Sequence, residues 1–123
     1  MYQPGLQTYR KMAVTTLDDP RKIVYLLFEK AIQELRLAEV NLDRPLERDR
    51  HLGKAIAVVG ELQAGVDLEA GEAAEFIFGL YRAIIRELAK VKGPEDREVV
   101  ARSIRYLSEL KNIWARQVLG RES

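Results

Sequence analysis

One stretch near the middle of the chain, residues 71–91, limits what this sequence can fold into. It reads GEAAEFIFGLYRAIIRELAKV, and at about 100° per residue its apolar side chains gather on one face of a helix. That face comprises Ala74, Ile77, Phe78, Tyr81, Ile84, Ile85 and Leu88. Phe76, Leu80 and Ala83 lie outside it and widen the apolar arc to roughly 220°, against the roughly 100° that a surface helix needs. We therefore expect a helix with neighbours on nearly every side, which are other helices, a bound partner, or both.

Proline and glycine mark the boundaries of the other helices. Asp19 is a favoured N-cap residue and Pro20 suits the first helical position, so a helix is predicted to begin there. Gly93 ends the central helix and Pro94 opens the last one. Four helices are predicted, at about residues 20–43, 46–66, 70–92 and 94–119. Because the links between them are short, neighbours run antiparallel, and the predicted fold is all-α, an antiparallel four-helix bundle.

The segment before the first helix, about residues 1–16, has no helical period and contains Pro4 and Gly5. Its apolar side chains are best explained by docking on the bundle, and a disordered tail is the alternative because termini often fray. We predict an extended N-terminal arm that docks through Leu6, Tyr9 and Val14. Residues 1–123 are predicted to form a single domain, a length that can bury a sufficient core without disulfides.

Composition excludes several classes of function. The chain has no cysteine, which rules out disulfides, thiolate metal sites and cysteine catalysis and suits the cytosol. Its 20 basic and 19 acidic side chains leave a net charge of +1, so nucleic acid and anionic membrane are not expected partners. No stretch approaches the roughly 20 apolar residues of a membrane span, and the N-terminus has no secretory signal. We expect a soluble, cytoplasmic protein with no membrane insertion.

Few residues of the sequence suggest a catalytic site. The single histidine, His51, excludes a di-iron carboxylate bundle, which needs a Glu-x-x-His pair on each of two helices. His51, Leu52, Gly53 and Lys54 resemble, in a disturbed order, the site of histidine phosphotransfer domains, and a solvated surface histidine is the other interpretation. Four glutamates near basic residues are interpreted as ordinary solvated side chains: Glu29, Glu34, Glu39 and Glu61. We expect no enzyme activity, no cofactor and no metal.

Two surface features suggest partners instead. Small residues recur along the second helix at spacings of four, three and four: Gly53, Ala57, Gly60 and Ala64. Since a glycine within a helix costs about 1 kcal/mol relative to alanine, the two glycines imply close approach by another helix. That helix belongs either to the bundle or to a bound peptide. A second, thinner line of side chains runs along the first helix and consists of Leu26, Gln33, Leu37 and Val40. These are either ordinary exposed side chains or a docking strip. A docking strip would bind a second copy of the chain, as in a homodimer, or another partner.

Several segments, in order, carry a family resemblance. Thr16 precedes the helix-opening Pro20, and the segments that follow are LLFEKAI (26–32), ELQAGVDLEAGEAAE (61–75), GLYRAIIREL (79–88) and LSELKNIWARQV (107–118). Over nearly the whole chain they resemble the flagellar secretion chaperone family usually called FliS. The chain departs from that family at Phe28, where tyrosine is common, and at Leu6, which takes the place of the first of two arm tyrosines. Phe28 preserves the packing, so the fold implied is unchanged.

The resemblance implies a cytoplasmic four-helix bundle that binds the disordered C-terminal segment of flagellin. Such a chaperone prevents early polymerisation and helps deliver its client to the export gate of the flagellar type III apparatus. We hypothesise that client helices enter apolar grooves lined by Gly53, Ala57, Gly60, Ala64, Phe76, Leu80, Tyr106 and Ile113. The arm bearing Leu6, Tyr9 and Val14 would cover part of a groove when no client is bound. The alternatives are a generic helical adaptor or dimerisation module and a phosphotransfer protein that uses His51.

Overall fold

The computed structural model describes residues 19–118 and 120, and this part of the chain is helical with no strand. Its four α-helices are α1 (Pro20–Val40), α2 (Pro45–Ala64), α3 (Glu72–Leu88) and α4 (Arg97–Gln117). Short 3-10 turns, Leu68–Ala70 and Pro94–Asp96, precede α3 and α4. The predicted all-α, four-helix fold is confirmed. The arm residues Leu6, Tyr9 and Val14 lie outside the described residues.

The helix ends follow local hydrogen bonding. At the start of α1 the Asp19 carboxylate accepts a hydrogen bond from the backbone N–H of Arg21 at 3.0 Å. Hydrogen bonds from the side chain and the backbone of Arg21 lower the pKa of Asp19 to about 2. The end of α1 comes at Val40, earlier than the predicted residue 43, because the Asn41 side-chain amide donates to the carbonyl of Leu37 at 2.7 Å and completes the last turn.

The starts of α3 and α4 also differ from the prediction. Gly71 has a φ of 117°, in the left-handed region that favours glycine, so α3 begins after it rather than at residue 70. Pro94 opens a 3-10 turn, and the α-helical hydrogen bonding of α4 starts only at Arg97. Within the described residues, none of the helices is both long enough and apolar enough to span a bilayer.

The helices are arranged in chain order around the bundle. The helix α1 packs against α2 and α4, and α3 packs between α2 and α4. Across the centre, the rings of Phe28 on α1 and Tyr81 on α3 lie with their centroids 6.4 Å apart. The largest fully buried side chains come from all four helices and the first link: Leu27, Leu35, Leu42, Val59, Leu88, Val100 and Leu107.

Hydrogen bonds connect neighbouring elements at both ends of the bundle. At one end Trp114 Nε1 donates to the carbonyl of Arg21 at 3.1 Å, and Arg21 Nη1 donates to the carbonyl of Val118 at 3.0 Å. These bonds fasten the start of α1 to the end of α4. At the other end Arg48 Nη1 on α2 donates to the carbonyl of Lys92 in the link between α3 and α4. The helix positions are therefore held by polar contacts as well as by the core.

The expectation that His51 and Glu34 are solvated was wrong. His51 is 8% exposed and Glu34 is 3% exposed, and His51 Nδ1 lies 2.6 Å from Glu34 Oε1. Lys30 Nζ lies 2.9 Å from the other carboxylate oxygen. The reason is the phase of α2: His51 precedes the buried Ala55 by four residues and Val58 by seven, so it shares their face.

The other three glutamates differ in exposure. Glu29 is exposed, as expected, whereas Glu39 and Glu61 are only partly exposed. Glu61 Oε1 is enclosed and has no hydrogen-bond partner among the described residues. The expectation of four solvated glutamates therefore holds in full only for Glu29.

The buried pair makes stability depend on pH. Burial by itself raises the pKa of Glu34, but hydrogen bonds from His51 and Lys30 outweigh burial and bring the pKa below its ordinary value of 4.5. An ionised carboxylate only accepts hydrogen bonds, so His51 Nδ1 carries the donated proton. Because folding lowers this pKa, the stabilisation is complete above pH 4.5 and is lost as the pH falls through the folded-state value.

Replacing Glu34 with glutamine should therefore lower the free energy of unfolding at pH 7. We expect a loss of about 1.5–3 kcal/mol, the usual size for hydrogen bonds to a charged group, measured by urea denaturation. Glu29→Gln on the exposed side of α1 is the matched control and should change stability by no more than about 0.5 kcal/mol. The difference in free energy of unfolding between the parent protein and Glu34→Gln should shrink below pH 4.5. A difference that stays constant on acidification would contradict the conclusion that the ionised Glu34 carboxylate stabilises the fold.

Gly53 and Gly60 on α2 do not accommodate a helix of the bundle. A Cβ atom added at either position meets no atom of the described residues within 4 Å. The interpretation that a bundle neighbour requires these two glycines is therefore wrong for the described part of the chain. They leave the surface of α2 flat at positions where no neighbouring helix packs.

Gly53→Ala and Gly60→Ala should each stabilise the folded protein. Both positions are helical and open, so alanine removes backbone freedom from the unfolded chain without a clash, for a gain of about 0.5–1 kcal/mol. Gly71→Ala is the opposing control, since its φ of 117° disfavours any side chain, and it should destabilise by roughly 1 kcal/mol or more. Thermal unfolding followed by circular dichroism measures all three. Destabilisation by Gly53→Ala or Gly60→Ala would show that the space is filled.

Candidate functional site

The helix α3 is the least enclosed of the four. Its buried side chains are Tyr81, Ile84 and Leu88. By contrast Phe76, in its first half, is 71% exposed. The apolar arc of α3 is thus wider than the bundle covers. Two pockets lined by described residues lie beside this helix, one at each end.

The first, which we call the end pocket, is an open cavity of about 340 Å³ where α1 and α3 begin and α2 and α4 end. Leu27, Phe28 and Tyr81 reach it from the core. Small side chains at the start of α3, Ala73 and Ala74, leave the space between α3 and α4 unfilled. The remaining lining comes from the ends of the other helices: Val24, Leu62, Gly65, Val66, Asp67, Ile77, Leu110, Ile113, Trp114, Gln117 and Val118. Among the described residues Asp67 is the one charged side chain in this wall, so the pocket is a mostly apolar recess.

Four of the predicted site residues belong to the α3–α4 side. Ile113, 42% exposed, lines the end pocket directly. Phe76 follows Ala73 by three residues and Leu80 follows Ile77 by three, so both adjoin its wall on the helix surface. Tyr106 precedes Ile113 by seven residues and shares its face of α4. The side chain of Leu80 is partly buried, whereas those of Phe76, Tyr106 and Ile113 are exposed.

The second, which we call the side pocket, lies between the first half of α2 and the end of α3, with a volume of about 380 Å³. Gly53 and Ile56 form its α2 wall, and Ala89 and Val91 lie opposite. Its remaining lining is Arg48, Asp49, Leu52, Leu88 and Lys92. Asp49 is paired with Arg48, whose Nε lies 2.9 Å from the carboxylate. This pocket is thus partly apolar, with a charged rim.

The small residues of α2 extend from the side pocket along the helix. Ala57, Gly60 and Ala64 follow Gly53 at four, seven and eleven residues, so they share one stripe on the surface. Ala57 is exposed, and Gly60 and Ala64 are partly exposed. The eight predicted residues therefore do not form one patch. They divide between the two sides of α3, four beside α2 and four toward α4.

The site has the character of a binding surface. His51 lies outside both pocket walls, is buried, and has Nδ1 engaged with Glu34, so the exposed histidine that phosphotransfer needs is not present. Within the described residues no group of three histidine, cysteine or acidic side chains is placed to hold a metal ion. Apolar recesses beside a partly covered helix are suited to receiving the apolar face of another helix.

Sequence reasoning missed part of the end pocket. None of its candidate site residues is Leu110, Trp114 or Val66, yet each of these packs against the core and also lines the cavity. The available signal was the pair of alanines at residues 73 and 74, since two small side chains at a helix start leave room beside it. Their effect depends on which helix lies opposite, and the sequence alone does not specify that.

Comparison with known proteins agrees with this architecture. Residues 1–120 match the family described as Flagellar protein FliS. Flagellar secretion chaperone FliSB of Pseudomonas aeruginosa is 27% identical over 99 residues, which cover 78% of this chain and 79% of that protein. Because the family match includes all four helices and both pockets, this chain belongs to the FliS family of flagellar proteins.

Proposed function

We propose that this protein is a cytoplasmic export chaperone of the flagellum that binds the disordered C-terminal segment of flagellin beside α3. The observation that carries the proposal is the apolar surface left open on both sides of that helix. Phe76 and Ile113 are exposed, and the end pocket opens between α3 and α4. Membership of the FliS family supports the role in flagellar export. The chaperone named among its relatives supports it as well.

The geometry suits a client that becomes helical on binding. An amphipathic helix enters a groove through apolar side chains spaced three and four residues apart, which matches the spacing of the stripe from Gly53 to Ala64. The absent side chains at Gly53 and Gly60 let a client backbone approach α2 closely. Ordering a disordered client costs part of the binding free energy, so its affinity per unit of buried area is modest. Modest affinity suits a client that must later be released.

Binding of this kind explains both parts of a chaperone's task. While its C-terminal segment is held against the bundle, flagellin lacks a free segment with which to polymerise. At the flagellar type III export gate the complex presents the client, which then leaves the chaperone. Neither step requires a covalent reaction, in keeping with pocket walls that consist mainly of apolar side chains.

The N-terminal arm belongs to the same proposal. The first helix begins at Pro20, and Val24, one helical turn later, lines the end pocket. Asp19, the residue before α1, therefore lies at the end of the bundle that holds this pocket. We propose that Leu6, Tyr9 and Val14 cover part of the apolar surface until the client displaces them.

The decisive experiment is a titration of the full chain with a synthetic C-terminal flagellin segment from the same organism. Calorimetry and circular dichroism should show saturable one-to-one binding, a negative heat-capacity change and a gain of helix. The heat-capacity change reports burial of apolar surface, and the gain of helix reports folding of the client. Failure of an intact, soluble segment to bind would contradict the proposed function.

Substitutions on the two sides of α3 should weaken this binding without unfolding the bundle. Ala57→Gln places a long side chain on the flat stripe of α2, and Phe76→Ala removes an exposed aromatic anchor. We expect each to weaken binding about tenfold, equivalent to about 1.4 kcal/mol. The same titration measures both variants.

Matched controls separate the groove from general surface effects. Lys54→Gln adds a glutamine elsewhere on the exposed surface of α2, and Leu46→Ala truncates an exposed apolar side chain outside both pocket walls. Both should bind the segment like the parent protein. Normal binding by Ala57→Gln, or loss of its fold, would show that the stripe is not a groove for the client. Normal binding by Phe76→Ala would exclude the α3–α4 side at that residue.

A further inference from the structure

Charged side chains around α3 are separated by sign along the chain. From Ala55 to Tyr81 there is no lysine or arginine, and the acidic residues of that stretch are Glu61, Asp67, Glu69, Glu72 and Glu75. From Arg82 to Lys92 the order is reversed, with Arg82, Arg86, Lys90 and Lys92 against one acidic residue, Glu87. Since α3 covers Glu72–Leu88, its first half is acidic and its second half is basic.

These charges are exposed and mostly not neutralised within the bundle. Arg82, Arg86, Glu72 and Glu75 are exposed. None of the four is among the ion pairs formed by the described residues, which involve other side chains. Lys90 is only loosely paired, with its Nζ 3.8 Å from a Glu87 oxygen. The separation of sign is therefore presented to solvent and to any partner.

The separated charges lie along the surface between α2 and α3, which includes the side pocket and the open positions Gly53 and Gly60 and which we call the groove between α2 and α3. Ala89 lines the side pocket opposite Gly53, and Arg86 and Arg82 precede Ala89 by three and seven residues, on the same flank of α3. Glu75 precedes Arg82 by another seven residues, so it lies on the same flank, in the acidic first half of α3. At that end Asp67, just after α2, is also exposed. The groove thus runs from an acidic end to a basic end.

We propose that the groove between α2 and α3 selects an amphipathic client helix by its charge and fixes the direction in which that helix binds. Acidic side chains of the client lie at the end formed by Arg82, Arg86 and Lys90, and basic side chains lie at the end formed by Asp67 and Glu75. The inference rests on the proposed function and adds the chemistry of the client segment. Apolar contacts alone allow a helix to enter a flat groove in either direction. Like charges facing each other make the wrong direction unfavourable.

The test is a double charge reversal, Arg82→Glu with Arg86→Glu, in the full chain. The probe is the synthetic C-terminal flagellin segment, titrated at low and at high salt. We expect the variant to bind the segment about tenfold or more weakly than the parent at roughly 50 mM salt. This loss of affinity should shrink near 0.5 M salt, because there the interaction between charges is screened beyond a few ångströms. Circular dichroism of the free variant checks that its helix content matches that of the parent.

Lys22→Glu with Arg36→Glu is the matched control. It makes the same change in net charge at two exposed positions of α1, neither of which belongs to a pocket wall. Binding by this control should stay within about twofold of the parent, because local charge and not net charge is what the groove recognises. Equal losses in both double variants would overturn the inference.

A rescue experiment tests the pairing directly. A second segment, with its acidic residues replaced by lysine, should bind the Arg82→Glu, Arg86→Glu variant more tightly than it binds the parent. Parent-like binding of the original segment by that variant, or absence of rescue, would overturn the inference and leave the proposed function intact. Absence of any binding by the parent protein would overturn the proposed function, and the inference with it.

Discussion

The structure depends on a mismatch between the apolar surface of α3 and the surface that its neighbours can cover. α2 and α4 flank this helix and Phe28 of α1 meets it across the core, yet Phe76 remains 71% exposed. Exposed aromatic side chains beside an open apolar recess are unusual for a surface that meets only water. The same helix therefore completes the bundle and forms the wall of two recesses.

By contrast, α1 and α2 enclose a polar pair between them. Between α1 and α2 the Glu34 carboxylate is buried but receives hydrogen bonds from both His51 and Lys30. Burying a charged group is costly unless its hydrogen bonds are satisfied, and a satisfied group specifies one alignment of the two helices. The contact between Glu34 and His51 therefore helps to fix α1 against α2.

The sequence predicted the helices well because their signals are local. Asp19 and Pro20 place the start of α1. The seven-residue apolar face predicted for α3 includes its buried side chains Tyr81, Ile84 and Leu88, and the other four residues of that face are only partly buried. The burial of His51 was also encoded, in its spacing to Ala55 and Val58, but charged neighbours in sequence obscured it. The pockets were less accessible to prediction. Whether an apolar side chain such as Trp114 meets the core or a cavity depends on what lies opposite, and that is set by packing between helices distant in sequence.

The division of the candidate residues between two sides of α3 bears on how a client is held and released. Under the proposed function, two stretches of one flagellin segment would occupy the two sides. Binding of the first stretch raises the effective concentration of the second, so two weak contacts give tight overall binding. Such a complex dissociates in steps, because loss of one contact leaves the other weak enough to break. A chaperone that must keep a client from polymerising and later give it up at an export gate benefits from this arrangement more than from one deep pocket of the same total affinity.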